Sequence, residues 1–138
     1  MKDAIFDDER EVTLRTVPQP SDLNVNGNIF GGWVLSQMDI AGATRASRRA
    51  GGPVATVAVN SMKFHEPINV GEIVSVYTDI EKVGNTSIAV KIDVYADSAI
   101  ASSLDAKGER GRRRVTEGQF IFVAVDEEGK PKPVAQNS

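Results

Sequence analysis

A single stretch limits what this chain can fold into. From Gly31 to about Arg49 the spacing predicts one long helix, and its first three turns are apolar nearly all round. Trp33, Val34, Leu35, Met38, Ile40, Ala41, Gly42, Ala43 and Ala46 leave no broad polar face. A helix of this kind is normally surrounded by protein or by lipid. The run is too short and too interrupted to span a bilayer, so the expectation is a central, enclosed helix. Asp39 lies inside that apolar surface. Its neighbours three and four residues away are Leu35, Ser36, Gly42 and Ala43, so no cation on the same helix can pair with it. An isolated buried carboxylate is costly. Such a group is either satisfied by distant donors or kept for chemistry.

The helix entry adds a second element. Gly31-Gly32 stands where the first backbone N–H groups lack intrahelical acceptors. Without side chains, these glycines allow another molecule close to the amides, at the positive end of the helix dipole. That combination suits an anion or a developing oxyanion; a tight helix start packed on a strand is the plainer alternative. Gly31 and Asp39 are separated by about 12 Å along the axis at 1.5 Å per residue. If both touch one substrate carbonyl, they come from two subunits facing each other across a two-fold axis.

The rest of the chain reads as one domain, 1–138, with a core of about 11–127 and tails at 1–10 and 130–138. A strand is expected over 11–17 and a loop over Ser21 to Asn28, whose asparagines can cap the helix or bond the turn. Arg45, Arg48 and Arg49 complement the helix dipole before Gly51-Gly52-Pro53 ends it. Four strand-like stretches follow: Val54 to Met62, Ile73 to Val83, Thr86 to Tyr95 and Arg113 to Val125. One helix with about five antiparallel strands is an α+β arrangement. Strand edges left open by such a sheet are closed by pairing in a dimer.

Composition excludes several classes. The net charge of -3 argues against a general nucleic-acid surface, and the absence of cysteine excludes disulfides and thiolate metal sites. The N-terminal ten residues are acidic with no apolar leader run, which makes a cytoplasmic protein the expectation. Asp105 to Arg114 carries five positive and two negative residues, a local +3. It is either a solvated loop or a phosphate contact, since guanidinium groups bind phosphate bidentately.

The run Asn24-Val25-Asn26-Gly27-Asn28-Ile29-Phe30-Gly31-Gly32-Trp33-Val34-Leu35-Ser36-Gln37-Met38-Asp39 closely resembles YciA-type acyl-CoA thioesterases of the hotdog-fold superfamily. The likeness continues through Thr56 to Phe64, Pro67-Ile68, Val70-Gly71-Glu72 and Phe122 to Asp126. The resemblance implies a hotdog fold, in which a curved antiparallel sheet wraps a long helix, and active sites at a dimer interface. It further implies a homodimer within a trimer of dimers. Asp39 matches the family's helix carboxylate, and the Gly31–Gly32 turn matches its carbonyl-polarising amides. Asn28 occupies a position where the family commonly carries Asp, and related thioesterases use an Asn near this turn.

The implied reaction is hydrolysis of acyl-CoA to free acid and CoA. Asp39 either activates water or attacks directly, while the helix-start amides hold the oxyanion. No cofactor or metal is required, because CoA is part of the substrate. Asn60 and Ser61 are secondary candidates for placing water or the thioester, Phe30 for shaping the acyl tunnel, and Arg110 and Arg112 for the CoA phosphates. Two rivals remain at this point. One is a hotdog hydratase or dehydratase using His65, which otherwise reads as a surface-turn histidine. The other is a non-enzymatic acyl-CoA-binding protein.

Overall fold

A computed structural model describes residues 11–98 and 112–136. The chain runs β1 (Leu14–Thr16), a 3-10 turn (Pro20–Asp22), α1 (Gly31–Ala50), β2 (Val54–Phe64), β3 (Glu72–Val83), β4 (Ser87–Ser98) and β5 (Arg113–Ala124). All neighbouring strands pair antiparallel, in the order β1-β3-β4-β5-β2. The expected α+β plan of one helix and five strands is therefore present, with element ends displaced by a few residues. β4 shows why: Ile88, Val90, Ile92 and Val94 alternate as the pattern requires, and all four are fully buried on the helix side.

The sheet bends around α1. Register shifts interrupt the ladders near Val57, between Asn60 and Lys63, near Glu81, and between Val94 and Tyr95. Each places an unpaired residue in one strand, which bends it and increases its twist. The helix fits closely into the resulting hollow through Val34, Met38, Ala41, Gly42 and Ala46. At Gly42 a Cβ would come within 2.7 Å of Ile92 Cδ1 and 2.8 Å of the Phe122 ring. Glycine here is a requirement of packing. At the far end Gly51 adopts the left-handed conformation (φ 75°) and donates to Ser47 O, terminating the helix as expected.

Two expectations change. The helix is enclosed on one side only: Leu35 and Ile40 are exposed, and Asp39 is half-buried rather than sealed in. One curved sheet of five strands covers only part of a helix that is apolar all round. The stretch expected as a C-terminal tail from 130 instead packs back on the domain. Lys132 N donates to Ala124 O, Val134 N donates to Asn85 O, and Val134 is buried in the core.

Gly42→Ala tests the helix–sheet fit. Alanine favours a helix interior by about 1 kcal/mol over glycine, yet the added methyl overpacks a site bounded by a stiff ring. The expected outcome is net destabilisation of about 1–3 kcal/mol in chemical unfolding.

Candidate active site

The start of α1 is held by tertiary contacts and has no cap. Phe30 is the N-cap residue and makes no side-chain capping bond. Asn24 instead organises the preceding turn, its Oδ1 accepting from Asn26 N and Asn28 N. Ile29 N donates to Ile68 O at 3.0 Å, and Phe30 N donates to Asp22 O at 3.0 Å. Beyond them, the amides of Gly31 and Gly32 have no acceptor among the described residues, and both glycines are exposed. A Cβ on Gly32 would meet nothing within 4 Å. These are the open donors that the sequence suggested.

Gly31 and Asn28 line a cavity of about 280 Å³ with Asn24, Phe64, His65 and Pro67 among its other walls. Asn28 is no helix cap; its Nδ2 reaches Asn69 Oδ1 at 3.4 Å. Phe30 is half-exposed beside this entrance.

Asp39 is on the same helix, two turns further on. Thr56 Oγ1 donates to its Oδ1 at 2.6 Å, and no Lys or Arg among the described residues lies within ion-pair distance of it. Thr56 belongs to β2, an edge strand exposed along most of its length, with Val57, Val59 and Phe64 presenting apolar surface. The carboxylate thus lies where α1 meets an open edge. Within one chain the helix geometry keeps it about 12 Å along the axis from the Gly31 amide.

Thr56 was not singled out in the sequence. A threonine among the β-branched residues of a strand carries no signal of its own, and its partner is 17 positions away. The strand residues that did stand out are elsewhere. Asn60 Nδ2 bonds Gln119 Oε1 at 3.3 Å, and Ser61 occupies the β-bulge with φ 56°, the one positive φ at a non-glycine among the described residues. Ser61 borders a separate cavity of about 200 Å³ with Lys63, Lys91 and Glu117. Arg112 stacks its guanidinium over Tyr95 (4.3 Å) and Tyr77 (5.5 Å). Arg110 lies outside the described residues.

His65 follows β2 as expected but is not isolated. Its Nε2 contacts Glu117 Oε2 at 2.7 Å, and Glu117 also receives Lys91 Nζ at 3.1 Å and Arg114 Nη2 at 3.0 Å. These donors, His65 foremost, pull the Glu117 carboxyl from an ordinary 4.5 to about 2. Burial alone would lower the Lys91 ammonium, but Asp93 and Glu117 outweigh it and hold the group above its usual range. Among the described residues no group of three or more His, Asp or Glu side chains could hold a metal, and no helix is long and apolar enough to cross a membrane.

The thioesterase superfamily model matches residues 26–101, a stretch that contains Asn28, the Gly31–Gly32 turn, Asp39 and Thr56. The acyl-CoA thioester hydrolase YciA of Salmonella typhimurium is 44% identical over 124 residues, covering 90% of each chain. The crystal structure of the hexameric thioesterase y2039 from Yersinia pestis superposes with a TM-score of 0.82 at 42% identity, covering 94% of this chain and 98% of that one. A hexameric hotdog fold thioesterase of Campylobacter jejuni, Cj0915, gives 0.82 at 39% identity over 91% of each. The helix laid in its curved sheet is the hotdog fold. The chain belongs to the thioesterase superfamily, among the YciA-type acyl-CoA thioester hydrolases.

The Glu117 cluster makes a pH prediction. Its folded pKa lies below the unfolded one, so its contribution to stability is present above about pH 4.5 and is lost as pH falls toward about 2. Glu117→Gln should flatten that part of the acid-unfolding profile, as followed by circular dichroism; an unchanged profile would contradict the assignment.

Proposed function

We propose that this protein hydrolyses acyl-CoA to the free acid and CoA at a site completed by two copies of the chain. The Gly31–Gly32 amides of one copy hold the thioester oxygen, and Asp39 of the other supplies the attacking group or its base. The observation that carries this reading is the pairing, on one helix, of two exposed acceptor-less amides, Gly31 beside a cavity, with a carboxylate free of any cation among the described residues. Their separation along the helix prevents both from gripping one carbonyl within a chain. The exposed β2 edge and the uncovered Leu35 and Ile40 provide apolar surface for a two-fold partner.

In the general-base route, Asp39 takes a proton from water as the water oxygen bonds the thioester carbon. Negative charge moves onto the carbonyl oxygen, where preorganised amides stabilise it more than they stabilise the ground state. Collapse of that intermediate breaks the C–S bond, and the departing thiolate recovers a proton from Asp39. In the direct route the carboxylate itself bonds the carbon, the thiolate leaves, and water then hydrolyses the mixed anhydride. Thr56 fixes the carboxylate orientation in either route, with its hydroxyl on Oδ1. Neither route uses a cofactor or a metal, and CoA enters only as part of the substrate.

Similarity to the hexameric Y. pestis and C. jejuni thioesterases supports an assembly of three such dimers. Asn28, which lines the cavity beside Gly31, is assigned a contact with the substrate near the thioester. Phe30 is assigned to the surface beside the helix start and the basic stretch containing Arg110 and Arg112 to the CoA phosphates; Asn60 and Ser61, on the bulged part of β2 away from the Gly31 cavity, are given no part in the reaction.

The test is steady-state release of free thiol from a panel of acyl-CoAs. Asp39→Ala should retain the fold and lose about 10²-fold or more in rate. Gly31→Pro removes one amide at a position where proline is tolerated: proline is favoured at the first helical position, and Phe30 already has the extended ψ (137°) that a following proline favours. Its kcat should fall by about 10²–10³. A wild-type protein with no thiol release, or an Asp39→Ala variant with full activity, would overturn the reading.

A further inference from the structure

The amides at the head of α1 are useful only if the helix start is held rigidly, and this start is uncapped. Core packing from Val34 onward seats the helix, and two backbone bonds anchor the turn just before its first residue, from Phe30 N to Asp22 O and from Ile29 N to Ile68 O. Ile68 lies in the loop between β2 and β3. Backbone bonds fix the ends of that loop, from His65 N and Glu66 N to Val115 O and from Glu72 N to Asn69 O, but among the described residues none is made by the backbone N–H of Ile68; a side-chain clamp adds to them.

Arg113, the first residue of β5, does this through several contacts. Its Nη1 and Nη2 both donate to the Glu72 carboxylate, Nη2 also donates to Pro67 O at 2.9 Å, and Nε lies 3.3 Å from Glu66 Oε1. Glu72 is itself buried and accepts from Asn69 N at 2.8 Å. One guanidinium therefore grips the loop at Glu66, Pro67 and Glu72, and Glu72 grips it again at Asn69. Ile68 is enclosed between these points, with its side chain in the core. Burial raises the Glu72 carboxyl, but the Arg113 contacts and the Asn69 amide outweigh it and hold the group below the usual carboxylate range. The planar fork of arginine satisfies a carboxylate and a carbonyl together, which a lysine cannot reproduce.

We infer that Arg113 and Glu72 are positioning residues for hydrolysis: through the Ile68 carbonyl they set where the Gly31 and Gly32 amides point. The inference rests on the proposed thioesterase reading and adds to it a pair that touches neither substrate nor the reacting atoms. Its signature is kinetic. An interaction that aligns donors for the transition state lowers kcat and leaves KM nearly unchanged when lost.

The experiment compares wild type, Arg113→Ala, Arg113→Lys and Glu72→Gln on one acyl-CoA, with folding monitored by circular dichroism and melting temperature. Because Arg113→Ala can also loosen the loop enough to impair folding, Arg113→Lys is the decisive variant; it keeps a charge beside Glu72 but cannot hold the carboxylate and Pro67 O in one plane. The expected result is a fall in kcat of about tenfold for Arg113→Lys, assayed well below its melting temperature, with KM within about twofold. Arg113→Ala should fall further, and Glu72→Gln should fall between them. A fully folded Arg113→Lys or Glu72→Gln with wild-type kcat, or a loss confined to KM, overturns the inference. Absence of thiol release by the wild type would instead reject the thioesterase reading itself.

Discussion

The structure depends on a helix with more apolar surface than its own chain can cover. Burial of a methylene is worth about 0.8 kcal/mol, so the stripe from Val34 through Met38 and Ala41 to Ala46 secures α1 in the hollow of the sheet. The close approach at Gly42 removes any slack between helix and strands. What remains uncovered, Leu35 and Ile40, flanks Asp39 in sequence and adjoins an edge strand with apolar side chains of its own. The surface that calls for a partner and the residue that calls for a substrate are the same region. On the proposed reading, association and catalysis are linked by one excess of hydrophobic area.

Helix dipole and helix length then divide the chemistry. The amino end offers unpaired N–H groups and partial positive charge, suited to an oxyanion. The carboxylate is placed two turns away, where the dipole no longer acts on it and where Thr56 orients it. A single subunit holds the two halves apart, and a two-fold axis is the operation that brings unlike halves of two equal helices together.

Much of this was legible in the sequence because it rests on local periodicity. The alternation of Ile88, Val90, Ile92 and Val94 gave β4 and its buried face, and the glycine pair gave the helix start. Features set by distant partners were not. Nothing near Thr56 marks it as the residue that reaches Asp39. Arg113 reads as one of a basic run, Lys107 to Arg114, while its actual role is to clamp Glu72, 41 positions away. Val134 follows two prolines in a polar terminus, and only the return of the chain past Ala124 shows that it belongs to the core. His65 is the exposed residue after β2 that the sequence suggests, but its Glu117 partner, on another strand, is visible only in the fold.

The central claim is that each site draws its amides from one chain and its carboxylate from another. Subunit mixing tests it directly. Asp39→Ala and Gly31→Pro, each inactive alone, are unfolded together and refolded, or co-expressed. If sites are shared across a two-fold axis, every mixed dimer contains one site with both lesions and one with neither, so roughly a quarter of wild-type activity returns. If amides and carboxylate act within a single chain, each site in a mixed dimer keeps one lesion and activity stays at the level of the separate variants.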